Sequence, residues 1–328
     1  MSAKRMKRRR LGRTGVEVSE IGYGAWGIGA SMWVGARDEE SLEALDRAID
    51  LGVNFIDTGL AYGDGHSEKL VGQVVRRRSE RIWVASKVPP KNLLWPARPG
   101  IAVERVFPYD YVVRSTETSL RNLGVDMIDI QQFHVWSPEW LASETWRRAV
   151  EDLKRAGKVR WLGISINDYQ PESAIDTLET GLIDCVQVIY NVYDPTAADR
   201  LLPVCEKLDI GVIARVPLDE GGLTGNITPD TRFPAGDWRN RYFRGERKRL
   251  VWERAEKLKQ AVGEGHGTLA QVALRFCLSH PAVSTVIPGM RSVRNVDSSC
   301  AVSDIGPLPA DLLVELRNHI WIRNFYGS

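Results

Sequence analysis

Four side chains with complementary chemistry stand at or just beyond the ends of apolar runs. Asp57 closes Asn54–Asp57, and Tyr62 follows in Asp57-Thr58-Gly59-Leu60-Ala61-Tyr62. Lys87 closes Ile82–Lys87 and His134 closes Ile128–His134. They supply a carboxylate, a phenol, an ammonium and an imidazole. A phenol with an ordinary pKa near 10 donates its proton to a carbonyl oxygen at neutral pH only if a neighbour pulls that pKa down. An ammonium does so, and a carboxylate behind it keeps it charged and oriented. The set suits reduction of a carbonyl group. A lysine at a strand end also suits a Schiff-base lyase, which would leave Tyr62 without a task.

Eight short apolar runs can carry such residues: Ile21–Gly24, Asn54–Asp57, Ile82–Lys87, Ile128–His134, Trp161–Ser165, Cys185–Tyr190, Val212–Arg215 and Thr285–Pro288. Continuous apolar runs are expected of parallel strands buried on both faces. Segments of helical period separate them. Asp38 reads as an N-cap before the stripe Leu42, Leu45 and Ile49, which Gly52 stops. Ser67 opens a second helix, Trp146, Val150 and Leu153 mark another closed by Gly157, and Pro171 starts one that ends at Gly181. Eightfold repetition of strand and helix predicts an α/β fold, a (β/α)8 TIM barrel in one domain over residues 1–328. An N-terminal β-hairpin is expected over Lys7–Val18. Two connections, Val88–Pro108 and Pro217–Arg244, are long enough to be binding loops, and both leave the C-terminal face, where barrel enzymes place their sites.

The chain of 328 residues carries 44 Lys plus Arg against 42 Asp plus Glu, a balance with no bias towards nucleic acid or membrane. No apolar run approaches the length of a spanning helix. Cys185, Cys205, Cys277 and Cys300 show neither metal-ligand nor disulfide spacing, so buried thiols, no metal and a cytoplasmic location are expected. Met1–Arg10 reads as a solvated basic arm. Gly22-Tyr23-Gly24-Ala25-Trp26-Gly27 matches a dinucleotide fingerprint, but no helical stripe begins inside it, as pyrophosphate binding would need. Its glycines are expected to let the first loop pass close to a ligand.

In order along the chain, Leu11-Gly12-Arg13-Thr14-Gly15, Asp57-Thr58 through Tyr62-Gly63, Ser67-Glu68, Ser86-Lys87, Gln132-Phe133-His134, Gly163-Ile164-Ser165, Gln187 and Ile287-Pro288-Gly289 closely resemble the aldo-keto reductase family. The resemblance implies an NADPH-dependent oxidoreductase that reduces an aldehyde or ketone to an alcohol. It implies Tyr62 as general acid, Lys87 lowering its pKa, Asp57 paired with Lys87, and His134 orienting the carbonyl. Ser165, Asn167 and Gln187 would hold the nicotinamide carboxamide. Further cofactor contacts fall on Arg215, Pro217 and Leu218 and on Gly289, Arg291, Asn295 and Ser299. Arg291 is the expected partner of an NADPH 2′-phosphate.

The chain departs from the family pattern three times. Ile166 separates Ser165 from Asn167, Arg215 stands where an aromatic usually stacks on the nicotinamide, and Ser299 replaces an asparagine. Trp26, Trp33 and Trp136 are expected to line an aromatic substrate pocket, with Trp95 and Tyr193 as further candidates. A small-molecule carbonyl compound is the expected partner. One branch of the family resembles a cofactor-binding sensor rather than an enzyme; the four reactive residues argue for turnover.

Overall fold

The computed structural model describes residues 6–323. Strands β1 (Arg8–Arg10) and β2 (Glu17–Ser19) form an antiparallel hairpin. Eight parallel strands follow: β3 (Tyr23–Gly24), β4 (Phe55–Asp57), β5 (Trp83–Val88), β6 (Ile128–Phe133), β7 (Val159–Ser165), β8 (Cys185–Ile189), β9 (Gly211–Arg215) and β10 (Thr285–Val286). Each pairs with its sequence neighbours, and bridges Ile21↔Val286 and Gly24↔Gly289 bring the two edges together. The (β/α)8 architecture and the hairpin expected from the sequence are both present. Residues 1–5 of the expected basic arm lie outside the described residues.

Alternation along each strand sorts the interior into layers, because residues two apart share a face. Phe55, Ala85, Ile130, Cys185 and Ile213 all point inwards and pack into one apolar cluster. The hairpin's Leu11 and Val18 complete this cluster and are wholly buried. Two residues further along the same strands stand Asp57, Lys87, Gln132, Gln187 and Arg215. The same pleat that buries an apolar floor must therefore project a polar layer above it, at the C-terminal mouth. Gly163 makes room for that layer: a Cβ there would lie 2.9 Å from both Gln132 Cγ and Cys185 Sγ. Outside the sheet, helix faces such as Trp146, Val150 and Leu153 of Glu144–Arg155 form the larger core.

One local expectation is corrected. Arg37 is the N-cap of helix Asp38–Asp50, and Asp38 is its first residue, with its carboxylate on His66 Nε2 at 2.8 Å. The first-loop glycines give close approach to the protein's own backbone. A Cβ on Gly24 would meet Ile287 O at 2.6 Å, and one on Gly29 would meet the Tyr62 backbone at 2.7 Å. The segment forms a short 3₁₀ turn, Trp26–Gly29, and the first α-helix starts only at Asp38, so the dinucleotide fingerprint has no helix terminus to offer.

Candidate active site

At the polar layer, Lys87 Nζ donates to Asp57 Oδ2 at 2.6 Å and to Thr58 O at 2.7 Å. Both charged side chains are buried, at 0% and 3% exposure. A buried ion pair endures only when its remaining hydrogen-bonding capacity is filled. Here Gln187 Nε2 and Gln132 Nε2 donate to Asp57 Oδ1 at 2.7 and 3.1 Å. Gln132 was missed as a site residue, although it stands two positions before His134 on a recognised strand, which is signal enough to place it inward.

The Tyr62 ring centroid lies 4.8 Å from Lys87 Nζ and 5.6 Å from the His134 ring, which meets it edge-on. Burial raises the Tyr62 pKa, and the opposing pull of Lys87 does not overcome it, partly because Asp57 pushes the same way as burial. The expected net lowering of this pKa is therefore corrected: Lys87 acts in the anticipated direction, but desolvation wins. Such a phenol is fully protonated at neutral pH. Burial pulls the Lys87 pKa down, but the Asp57 and Tyr62 oxygens more than compensate, and the net shift is upwards. Burial first, then Lys87 and Arg215, push His134 well below the ordinary histidine range, so its ring is neutral. Together the groups form a neutral donor pair, phenol and imidazole, beside a fixed ammonium.

Aromatic walls flank these two rings. Trp95 meets His134 edge-on at 5.7 Å, and Trp26 lies 6.3 Å from Tyr62, with Trp33 and Trp238 behind it at 5.7 and 6.2 Å. Trp136 is corrected out of the pocket. It is fully buried among Phe133, Trp140 and Trp146 and donates to Thr177 Oγ1 at 2.9 Å. Tyr193 is likewise buried, against Trp321. Asn167 is also corrected. Its side chain accepts from Ala97 N at 3.1 Å and donates to Ala97 O at 3.3 Å and to Gln170 Oε1 at 3.2 Å. It anchors the long loop carrying Trp95, and its amide is committed there.

Ser165, the last residue of β7, pairs in register with Gln187 in the middle of β8, and both are buried. Arg215 donates from Nη2 to Ile166 O at 3.0 Å and pairs with Asp168. The chain beyond it runs through Pro217 and Leu218 with left-handed backbone at Val216 (φ 53°), Asp219 (47°) and Glu220 (53°). Non-glycine residues held there cost on the order of 1–2 kcal/mol each. Burial, reinforced by Asp219, pushes the Glu220 carboxyl up to about 8.

Across the barrel seam, Gly289 is exposed, and a Cβ there would enter open space. Arg291 lies with its guanidinium carbon 5.4 Å from the Trp33 ring and donates to Val34 O at 3.4 Å. Asn295 is exposed and Ser299 buried on helix Val293–Cys300, whose N-cap Ser292 accepts from Asn295 N. Arg215 and Arg291 each stand just beyond or at the C-terminal end of a strand, Arg215 paired with Asp168 and Arg291 beside Trp33.

A model of the aldo/keto reductase family matches residues 20–320. The chain belongs to the aldo-keto reductase family. Its members are oxidoreductases that act on carbonyls with nicotinamide cofactors. The chain is 29% identical over 286 residues to aldo-keto reductase YhdN of Bacillus subtilis, covering 85% of this chain and 83% of that protein. It is 28% identical over 322 residues to the NADH-specific methylglyoxal reductase of Escherichia coli, covering 93% and 96%. An aldo-keto reductase from Klebsiella pneumoniae, solved in complex with NADPH, superposes with a TM-score of 0.69 at 27% identity, covering 98% of this chain and 97% of that one.

Proposed function

We propose that the protein is an NADPH-dependent reductase of aldehydes or ketones, one barrel domain long, with Tyr62 as the acid. The observation that carries this reading is the convergence of Asp57, Lys87, Tyr62 and His134 on one wall of an aromatic-lined mouth. A bound nicotinamide dinucleotide supplies the hydride. The neutral Tyr62 hydroxyl and His134 imidazole bind the carbonyl oxygen, Tyr62 gives it a proton, and Lys87 stabilises the phenolate left behind. Asp57, fixed by Gln132 and Gln187, holds the ammonium in place. Ser165 and Gln187 hold the carboxamide; Arg215, Pro217 and Leu218, with Gly289, Arg291, Asn295 and Ser299, line the rest of the cofactor path. Trp26 and Trp95, backed by Trp33, favour apolar or aromatic carbonyl compounds. The four free, buried cysteines suit a reducing, cytoplasmic setting. A panel of aldehydes, ketones and sugars, followed by loss of dihydronicotinamide absorbance, tests the reading; no turnover with any of them would reject it.

Preference for NADPH rests on Arg291 and on the absence of an acid in Ile287–Asn295 that could grip a bare ribose. Asp297, the next acid, is paired to Arg47 Nε at 2.7 Å. Arg291→Ala should reduce the kcat/KM ratio of NADPH over NADH by roughly ten- to a hundredfold, the worth of one charge-assisted hydrogen bond at ~1.5–3 kcal/mol. An unchanged ratio would remove Arg291 from the phosphate site.

We expect half-buried Glu220, in the strained turn after β9, to make the cofactor's affinity sensitive to pH. Its neighbours are Asp219 on the same turn, Arg215 and Asp168 at the nicotinamide end, and Arg239 at the other. Below about 8 its carboxyl is neutral; above, it adds a negative charge beside an anionic cofactor. NADPH should bind more weakly as pH rises through about 8. Titration by dinucleotide fluorescence should show this fall, and Glu220→Gln should abolish it; a persistent fall would place the titrating group elsewhere.

A further inference from the structure

The strained turn after β9 is braced from a distance by the far end of the chain. Asp219 in that turn is buried and accepts from Arg247 Nη2 at 3.1 and 3.3 Å, and from the Tyr242 hydroxyl. Arg247, itself 3% exposed, is the first residue of helix Arg247–Val262. Its guanidinium carbon lies 4.5 Å from the Tyr242 ring and 4.8 Å from the Trp321 ring. Trp321 is held in turn. Its backbone N–H donates to Tyr193 O at 2.8 Å, its ring meets Tyr193 edge-on at 5.7 Å, and Arg254 stands 4.4 Å from the same ring. The guanidinium that neutralises Asp219 thus stands against the Tyr242 and Trp321 rings, with Phe243 at 5.9 Å, and Trp321 is contributed by the C-terminal segment.

We infer that Trp321 is a positioning residue for the cofactor turn: its ring holds Arg247 on Asp219, and so keeps Val216–Glu220 in the conformation that receives the dinucleotide. The physical basis is the attraction between a desolvated guanidinium and an aromatic face, strongest for tryptophan. Without that ring, Arg247 gains rotamers and solvent, and the buried Asp219 loses the fixed charge that steadies its left-handed backbone. Trp321 touches neither Tyr62 nor His134 among the described contacts, so its effect should fall on cofactor binding rather than on the proton transfer. This inference rests on the reading of the turn as part of a nicotinamide-dinucleotide site.

The test compares Trp321→Leu, Trp321→Ala and Trp321→Phe in the full chain, with NADPH and NADH affinities from fluorescence titration and kcat at saturating cofactor. Leucine retains apolar packing without the aromatic face; phenylalanine retains the face. Trp321→Leu and Trp321→Ala should weaken dinucleotide binding about three- to thirtyfold, as loss of a partly desolvated cation–π contact implies. They should leave kcat within about twofold. Trp321→Phe should stay close to wild type. Arg247→Met should weaken binding similarly, and its combination with Trp321→Leu should be no worse than the stronger single change, because the two act on one contact. Wild-type affinity in Trp321→Leu, or a loss of kcat at unchanged cofactor affinity, would overturn the inference alone. Failure of the wild-type protein to bind either dinucleotide would instead overturn the reading of the turn.

Discussion

Tyr62→Phe should lower the turnover of carbonyl reduction by roughly 10²–10⁴-fold while leaving cofactor affinity close to wild type. That is the range a positioned general acid contributes. The change removes a single oxygen from a ring whose packing against Trp26, His134 and Lys87 otherwise stays in place. Because burial raises this phenol's pKa, the reductive rate of the wild type should be flat through neutral pH, with the acid fully protonated. Oxidation of the corresponding alcohol, which needs the phenolate, should rise with pH over the same range. Tenth-of-normal turnover or better in Tyr62→Phe would exclude the phenol as the donor, and a reductive rate that fell across neutral pH would contradict the raised pKa.

Lys87→Met should be the most damaging single change, because it attacks chemistry and fold together. The phenol loses the charge that opposes its upward shift, and the phenolate formed on proton transfer loses its counter-ion. Asp57 is meanwhile left buried, with only the Gln132 and Gln187 amides as donors. Removing one partner of a buried ion pair typically costs ~3–5 kcal/mol. The double variant Lys87→Met with Asp57→Asn separates the two effects, since replacing both charges avoids the stranded carboxylate. Chemical denaturation should show much of the lost stability restored in the double variant, and turnover should remain lost. Recovery of turnover alongside stability would mean that Lys87 serves the fold and not the reaction.

Much of the barrel and the reactive wall was legible in the sequence, for one reason: strand periodicity is a local property. A run such as Trp83–Val88, buried on both faces, declares itself by composition, and its pleat then dictates that Lys87 shares a face with Ala85, as Gln132 does with Ile130 and Gln187 with Cys185. The ends of parallel strands lie at one mouth, so Asp57, Lys87 and His134 had to converge. Tyr62 joins them because it follows Asp57 so closely.

Loops and environment obey no such local rule. Trp95 and Trp136 both follow strands whose ends reach the site. Trp95 faces His134 because Asn167 clasps the backbone of Ala97 beside it, whereas Trp136 inserts between Phe133, Trp140 and Trp146 under the helices. The contest over Tyr62 between desolvation and Lys87 depends on how much surrounding protein displaces water, a quantity summed over residues distant in sequence. The brace of Trp321 on Arg247 is longer-ranged still, joining the segment after the 3₁₀ turn Arg317–His319 to the turn after β9. The amino-acid sequence by itself determined the strands, their faces and the meeting of the reactive groups, because those follow from the backbone's period of two. Which tryptophans wall the pocket, which amide is spent on a loop, and whether a phenol's pKa moves up or down were decided only by tertiary packing, because each is a balance struck between segments that share no local signal.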